Sequence, residues 1–305
     1  MAIITNPINT NGVSAVPGAD NRSLGLKLYQ NEMLTFYNAK NVALNLVRKK
    51  TITSGTVAQF MVSGKSNAST THTPGAQVVS GTIKMDERTV IIKDRKVVAH
   101  SLDKLDEKLS QVDIRSELVK QSVETLSNEI DLELFTLIET AVSTAGVSDQ
   151  STGSTSTMTG FNALTDAEAK GDAIVEGMFA LNSEFNKKNI PSEDRVFVTS
   201  SDNYSYIVQS RKAIDKDYSN GNGGIDSGTV MKIAGVSIIF SNNLPTTANL
   251  QGLMFHKNAV CIATAMDITT EMNYDFNTLS DLLTSYVAYG TDVLDPGCAG
   301  ALISS

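Results

Sequence analysis

Apolar positions along the chain change their period several times, and each change marks an element. Residues 1–23 are polar and broken by Pro7, Gly12, Pro17 and Gly18, which predicts an extended arm without a core of its own. Over residues 24–48, Leu24, Leu28, Met33, Phe36 and Tyr37 fall near one face of a short amphipathic helix. From Thr51 the period drops to two: Ala58, Phe60 and Val62 alternate with Val57, Gln59 and Met61, as in a strand. A polar stretch, 64–81, follows, and strand-like sequence returns at 82–85, 90–92 and 97–98. Together these segments predict a long antiparallel hairpin with a polar tip. Two strands alone are marginal in water, so the ribbon needs a partner surface in its own chain or in a neighbour.

The period then becomes helical. Leu102, Leu105, Leu109, Val112, Ser116, Val119, Val123, Leu126, Ile130, Glu133 and Leu137 lie three and four apart, all apolar except Ser116 and Glu133. Ser101 is placed to cap a first helix, and Asp113 a second one after a break near Ser110. A continuous helix over 113–144 would be roughly 48 Å long. Such a rod is a spine on which other elements lie, or one strand of a coiled coil. The STGSTST run within 147–160 reads as an exposed low-complexity loop. Downstream the pattern is α+β: a helix over 167–189, a strand over 195–199, a helix over 202–211 and a flexible glycine loop at 219–224. Strands at 236–240 and 253–255, mixed sequence through 266–272, a helix near 276–283 and a closing strand at 299–303 complete it.

Composition narrows the function. Of 305 residues, 41% are hydrophobic, enough for a substantial core, while only 19% are charged. A net charge of -8 makes the chain a poor general ligand for nucleic acid, which needs clustered Lys and Arg. The densest basic run, Arg48-Lys49-Lys50, reads as a solvated turn. Cys261 and Cys298 lie on separate apolar segments and read as free buried thiols of a reducing cytosol, a disulfide between them being the other possibility. The first residues lack a basic start and an apolar run of signal-peptide length, and no segment approaches a membrane span. The expectation is a chain made and kept in a cytosol, with no membrane partner.

Candidate chemistry is sparse. His72, His100 and His256 fall in different elements without metal-ligand spacing, and the two cysteines form no CxxC pair. No G-x-S-x-G elbow is present, and Asp86-Glu87 and the acids within 103–107 read as surface charge. The Gly221-Asn222-Gly223-Gly224 loop lacks the Lys of a P-loop and the flanking strand of a dinucleotide fingerprint. No catalytic residue, cofactor site or metal site is expected. The chain reads as a structural subunit that works by assembling with copies of itself.

The order of elements carries a resemblance. Ser54-Gly55-Thr56-Val57-Ala58-Gln59-Phe60 with Pro74-Gly75, Val112-Asp113-Ile114-Arg115-Ser116-Glu117, Ile190-Pro191 with Asp194-Arg195-Val196-Phe197, and Asn203-Tyr204-Ser205 occur in sequence. Ile233-Ala234-Gly235-Val236, Leu244-Pro245, the stretch from Gly252 to Val260 and Pro296-Gly297-Cys298-Ala299-Gly300-Ala301 follow. Their order resembles the HK97-like capsid fold, and more narrowly the major capsid proteins of T7-like short-tailed phages, in the flavour of a marine relative. The resemblance runs from about residue 25 to the end; residues 1–23, the STGSTST insertion and the Gly221 loop diverge.

That resemblance implies a division into an N-terminal arm and short helix (1–50), an extended hairpin loop (51–100) and a peripheral domain with the spine helix (101–146). An axial domain (147–265) and a return to the peripheral domain with a C-terminal strand (266–305) follow. It also implies hexamers and pentamers of an icosahedral shell, assembled in a host bacterium on a scaffolding protein with a portal, around double-stranded DNA that is enclosed without specific binding. Contacts between subunits are expected at Phe60, Val62, Lys65, Val90, Ile91 and Ile92 of the hairpin and at Asn220, Gly221 and Gly223 of the axial loop. Some capsids of this fold crosslink a hairpin Lys to a neighbour's Asn, a chemistry not expected here. A cellular nanocompartment shell of the same fold, or a flagellin-like filament subunit, would share part of this pattern. A filament protein, however, would carry its helices at the termini.

Overall fold

A computed structural model describes residues 42–64, 73–75, 77, 84–92, 95–103, 114–146, 150–214, 223–224, 229–230, 232–247 and 249–305. The predicted helix over 24–48 lies largely outside these residues. Where the description begins there is a short 3-10 turn, Ala43–Asn45. The elements that follow are β1 (Arg48–Thr51), β2 (Val57–Ser63), β3 (Met85–Ile91), β4 (Arg95–Asp103) and α1 (Ile114–Ser143). Next come β5 (Ser154–Met158), α2 (Ala167–Lys187), β6 (Arg195–Thr199), α3 (Ser201–Gln209) and α4 (Arg211–Ile214). The short pieces β7 (Gly223–Gly224), β8 (Thr229–Val230) and β9 (Lys232–Ile233) lead to β10 (Val236–Phe240) and β11 (Leu250–His256). Two long strands, β12 (Val260–Asp275) and β13 (Ser280–Val293), and β14 (Ala299–Ser304) end the chain.

The chain divides into two compact units. One holds Ile92–Ile130 and Thr264–Tyr289; the other holds Val42–Ile91, Asp131–Ala263 and Gly290–Ser305.

In the first unit β4 pairs antiparallel with β13, from Ser280↔Asp103 to Ala288↔Arg95. Along β4 exposed and half-buried residues alternate, the signature of a half-covered strand. This corrects the sequence expectation around Ser101 and Leu102, which lie in β4 and not at a helix start. Cross-strand pairing overrides the short Leu102, Leu105, Leu109 spacing; residues 104–113, with the proposed Asp113 cap, lie outside the described residues. The helix expected near 276–283 is corrected as well. Its residues form the turn after β12 and the first part of β13, with Phe276 and Leu279 exposed. Apolar residues three and four apart mimic a helix there, but pairing with β4 sets the conformation. Within this unit the α1 residues Val119, Val123, Leu126 and Ile130 are buried at the predicted spacing, and Lys96 reaches Glu129 at 2.7 Å.

In the second unit α1 continues with Leu134, Ile138 and Ala141 buried, one position beyond the predicted Glu133 and Leu137. A straight helix has 3.6 residues per turn, so a strict three-four spacing lags by about 20° per seven residues and falls about one residue behind the buried face over about five heptads. The core of this unit is a six-stranded sheet in the order β5-β14-β11-β6-β10-β9. Strands β14, β11 and β6 run antiparallel to their neighbours in that order, while β10 lies parallel to β6 and β5 parallel to β14. The apolar face of α2, with Ile174, Met178, Leu181 and Phe185 all at 0% exposure, packs with Phe197, Met254 and Leu302 in one cluster. Gly171 lets α2 approach α3: a Cβ there would stand 2.1 Å from the Tyr206 carbonyl oxygen.

Two further expectations are corrected here. The second half of the STGSTST run begins strand β5, with Ser154 and Met158 buried and Thr155 and Thr157 exposed. Its partner β14 is some 145 residues away, so local sequence gave no sign of the pairing. The basic run Arg48-Lys49-Lys50 is not a turn but the edge strand β1, exposed at every residue. Charged residues on an edge strand discourage stray pairing.

Candidate functional site

The predicted hairpin exists only in part: the 97–98 segment expected to belong to it lies in β4 and pairs with β13 instead. Strands β2 and β3 pair antiparallel, from Val57↔Ile91 to Ser63↔Met85, as a separate two-stranded sheet. Strict alternation gives this ribbon two unlike faces. On one, Ala58, Phe60, Val62 and Val90 are buried at 6% exposure or less. The chain supplies their cover itself. Lys50 donates to the Gln59 carbonyl at 3.0 Å and sits 5.7 Å from the Phe60 ring centroid. Gly290 lets β13 approach closely, since a Cβ there would stand 2.7 Å from the Ile91 carbonyl oxygen. On the other face, Val57, Met61, Met85 and Ile91 are 44%, 76%, 66% and 50% exposed.

This sorts the residues that the sequence put forward for subunit contacts. Phe60, Val62 and Val90 are buried inside the single chain, Ile92 is half-buried and Ile91 is exposed. The apolar area left for a neighbour therefore lies on the opposite face, with Val57, Met61 and Met85 beside Ile91. Period-two alternation shows that the faces differ, but nothing local says which one the chain will cover. Lys65, Asn220 and Gly221 lie outside the described residues. Gly223 pairs with Val230 in the short β7–β8 ladder.

At the root of the hairpin region, Asp131 of α1 is 1% exposed and accepts the backbone N–H of Ala43 at 3.0 Å and of Val42 at 3.3 Å. Burial pushes its carboxyl above the usual range, against the pull of these two bonds and of one from the Asn243 side chain.

The groups most suited to chemistry gather around a cavity of about 170 Å³ lined by Gly64, Lys188, His256, Asp295 and Cys298, among others. The Cys298 thiol donates to Asp295 at 3.3 Å, and burial together with that carboxylate pushes its pKa far up. Cys261, donating to the Asp292 carbonyl, is pushed up to about 12 by burial. A nucleophilic cysteine needs the opposite shift. His256, packed at the end of β11, accepts the Asn258 N–H at Nδ1, and burial lowers its pKa. Nearby, Arg195 is 4% exposed and donates to Pro191 O at 2.8 Å, Asn186 Oδ1 at 2.9 Å, Asn182 Oδ1 and Ile190 O, tying down the chain after α2. This neighbourhood is held together by buried hydrogen bonds and offers no activated group. Among the described residues no His, Cys, Asp and Glu cluster has metal-binding geometry, and no helix is long and apolar enough to cross a membrane. His72 lies outside the described residues.

Residues 59–252 match the family model described as Gp10A-like major capsid protein. The chain belongs to the Gp10A-like major capsid protein family. The match covers nearly all of the hairpin, the whole of α1 and most of the six-stranded sheet. The major capsid protein of Enterobacteria phage T3 is 24% identical over 97% of this chain and 96% of its own length. That of Escherichia phage T7 is 24% identical over 96% and 95%. Among solved structures, the capsid of cyanophage P-SCSP1u superposes with a TM-score of 0.75 and 27% identity, covering 87% of this chain and 88% of that one. The mature capsid of bacteriophage PhiM1 gives 0.72 at 18% identity, covering 87% of each chain, which bears on the fold alone. The α+β architecture is thus the HK97-like capsid fold, and this Gp10A-like chain is a phage major capsid protein, a T7-like shell component of a virion built from copies of itself. The family match and the full-length relatives are phage capsid proteins, so the nanocompartment and filament readings are set aside.

Proposed function

We propose that this capsid protein forms the hexamers and pentamers of a closed icosahedral shell by laying the outward face of its β2–β3 hairpin on an adjacent subunit. The observation that carries this reading is the row Val57, Met61, Met85 and Ile91, which the chain leaves 44–76% exposed while burying the opposite face. Apolar burial stabilises by about 25 cal/mol per Å², so a modest contact repeated around a shell accumulates into great stability. Each contact alone stays weak enough for a misplaced subunit to leave.

Residues 1–50 act as an arm that also bridges to a neighbour, 51–100 as the extended loop, 101–146 and 266–305 as the peripheral domain, and 147–265 as the axial domain. The axial loop around Asn220, Gly221 and Gly223, with Lys65 at the hairpin tip, adds further contacts. Assembly takes place in the host cytoplasm on a scaffolding protein and around a portal. Double-stranded DNA is enclosed without specific binding, which suits a net charge of -8. The protein acts by assembly and carries no catalysis of its own.

The test is negative-stain electron microscopy of the chain co-expressed with its scaffolding protein, with and without residues 64–81. The full chain is expected to give closed particles, and the deletion a folded subunit with few or none. Normal shells from the deletion would sink a contact role for the hairpin tip, and filaments or monomers from the full chain would sink the shell reading.

A further inference from the structure

The turn Ala43–Asn45 opens the described part of the second unit, and it is held from far away in sequence. Ala43 is fully buried and Val47 is 2% exposed, so this root is seated in the second unit on its apolar side. Its polar side depends on one residue. A helical turn leaves its first N–H groups without internal partners, and Val42, at the N-cap position, has no side chain that can take them. The carboxylate of Asp131, 88 residues away from Ala43, fills that place: Oδ1 accepts from Ala43 and Oδ2 from Val42. The Asn243 side chain bonds the same carboxyl, so three separate segments meet on one buried acid. Burying a carboxylate is costly unless its oxygens are bonded, and here they are spent on the root.

We propose that Asp131 is the positioning residue that fixes the Val42–Ala43 backbone, so that the arm proposed above starts from the same point in every subunit. The inference rests on the reading above that the arm bridges copies, and the test separates the two. Three versions of the full protein are compared with wild type: Asp131→Ala, Asp131→Asn, and a chain lacking residues 1–41. Shells are counted by electron microscopy, and amide hydrogen exchange is followed in the unassembled subunit.

In Asp131→Ala the amides of Val42 and Ala43 should exchange at least tenfold faster, while β6 and β11 keep their protection. Closed particles should fall at least tenfold. In Asp131→Asn one oxygen remains to accept, so one amide stays protected, the other gains tenfold in rate, and most shells return. This variant also serves if Asp131→Ala fails to fold. Wild-type exchange at both amides in either variant, or wild-type shells from Asp131→Ala, overturns the anchor. Normal shells from the truncated chain overturn the arm reading itself, and with it the use of an anchor.

Discussion

The central strand of the six-stranded sheet and the hairpin ribbon belong to the same compact unit, yet they place their apolar area differently. Every residue of β6 is buried, from Arg195 to Thr199. In β2–β3 only one face is covered, and Met61 on the other is 76% exposed. Strand β6 is flanked by β11 and β10 and backed by α2, so its side chains find partners within the chain whichever way they point. The ribbon has only two strands, and the apolar side chains on one face stay 44–76% exposed. A protein that must fold alone and then assemble needs both: a body whose stability is settled in the monomer, and a surface whose stabilisation is deferred until a neighbour arrives.

The comparison breaks most severely in the sheet. Phe197→Ala empties a fully buried site against α2 and should cost about 3–5 kcal/mol, read as a lower denaturant midpoint or as insoluble protein. A loss below about 1 kcal/mol would mean that the body is loosely packed. On the ribbon, the inward Phe60→Ala should cost about 3 kcal/mol and destabilise the unassembled subunit. If it left the monomer untouched and blocked only assembly, the assignment of faces would be reversed.

Arg195→Met should cost about 2–3 kcal/mol, because its carbonyl and amide acceptors lose buried bonds from a charged donor. Thermal unfolding of the monomer would show it. A smaller effect belongs to His256, whose folded-state pKa lies below its ordinary 6.5. The folded state therefore resists protonation: its stability is intact above about pH 6.5 and declines as pH falls through the lowered value. His256→Gln should flatten that part of the stability-pH curve, and an unchanged slope would contradict the buried neutral imidazole. Least visible is the thiol chemistry. With Cys261 raised to about 12 and Cys298 raised further, alkylation at pH 8 should be negligible until denaturant is added, as mass spectrometry can check.

Legibility in the sequence followed the same division. Elements with a strong local period were clear: α1 ends at Ser143, one residue before the predicted end, and the β2–β3 ribbon and β6 fell where alternation and apolar runs put them. What failed depended on distant partners. Nothing near Ser154–Met158 announces β14, and nothing near Phe276 shows that β4 will hold the following residues extended. The hairpin was recognisable as unfinished, and its alternation gave two faces. Which face the chain would cover was decided by Gly290 and Lys50, each at home in another strand. Asp131 was missed altogether, since an acid on a long amphipathic helix reads as solvated unless its position is weighed against the shifted buried face.

The most direct test of the account is electron microscopy of the double variant Met61→Glu with Ile91→Glu, set beside its monomer stability. Both residues stand on the outward face and are at least half exposed, so the monomer should unfold within about 0.5 kcal/mol of wild type, while two carboxylates placed in an apolar contact should leave few or no closed shells. Wild-type shells from this variant would contradict the claim that the outward face of the hairpin joins the subunits.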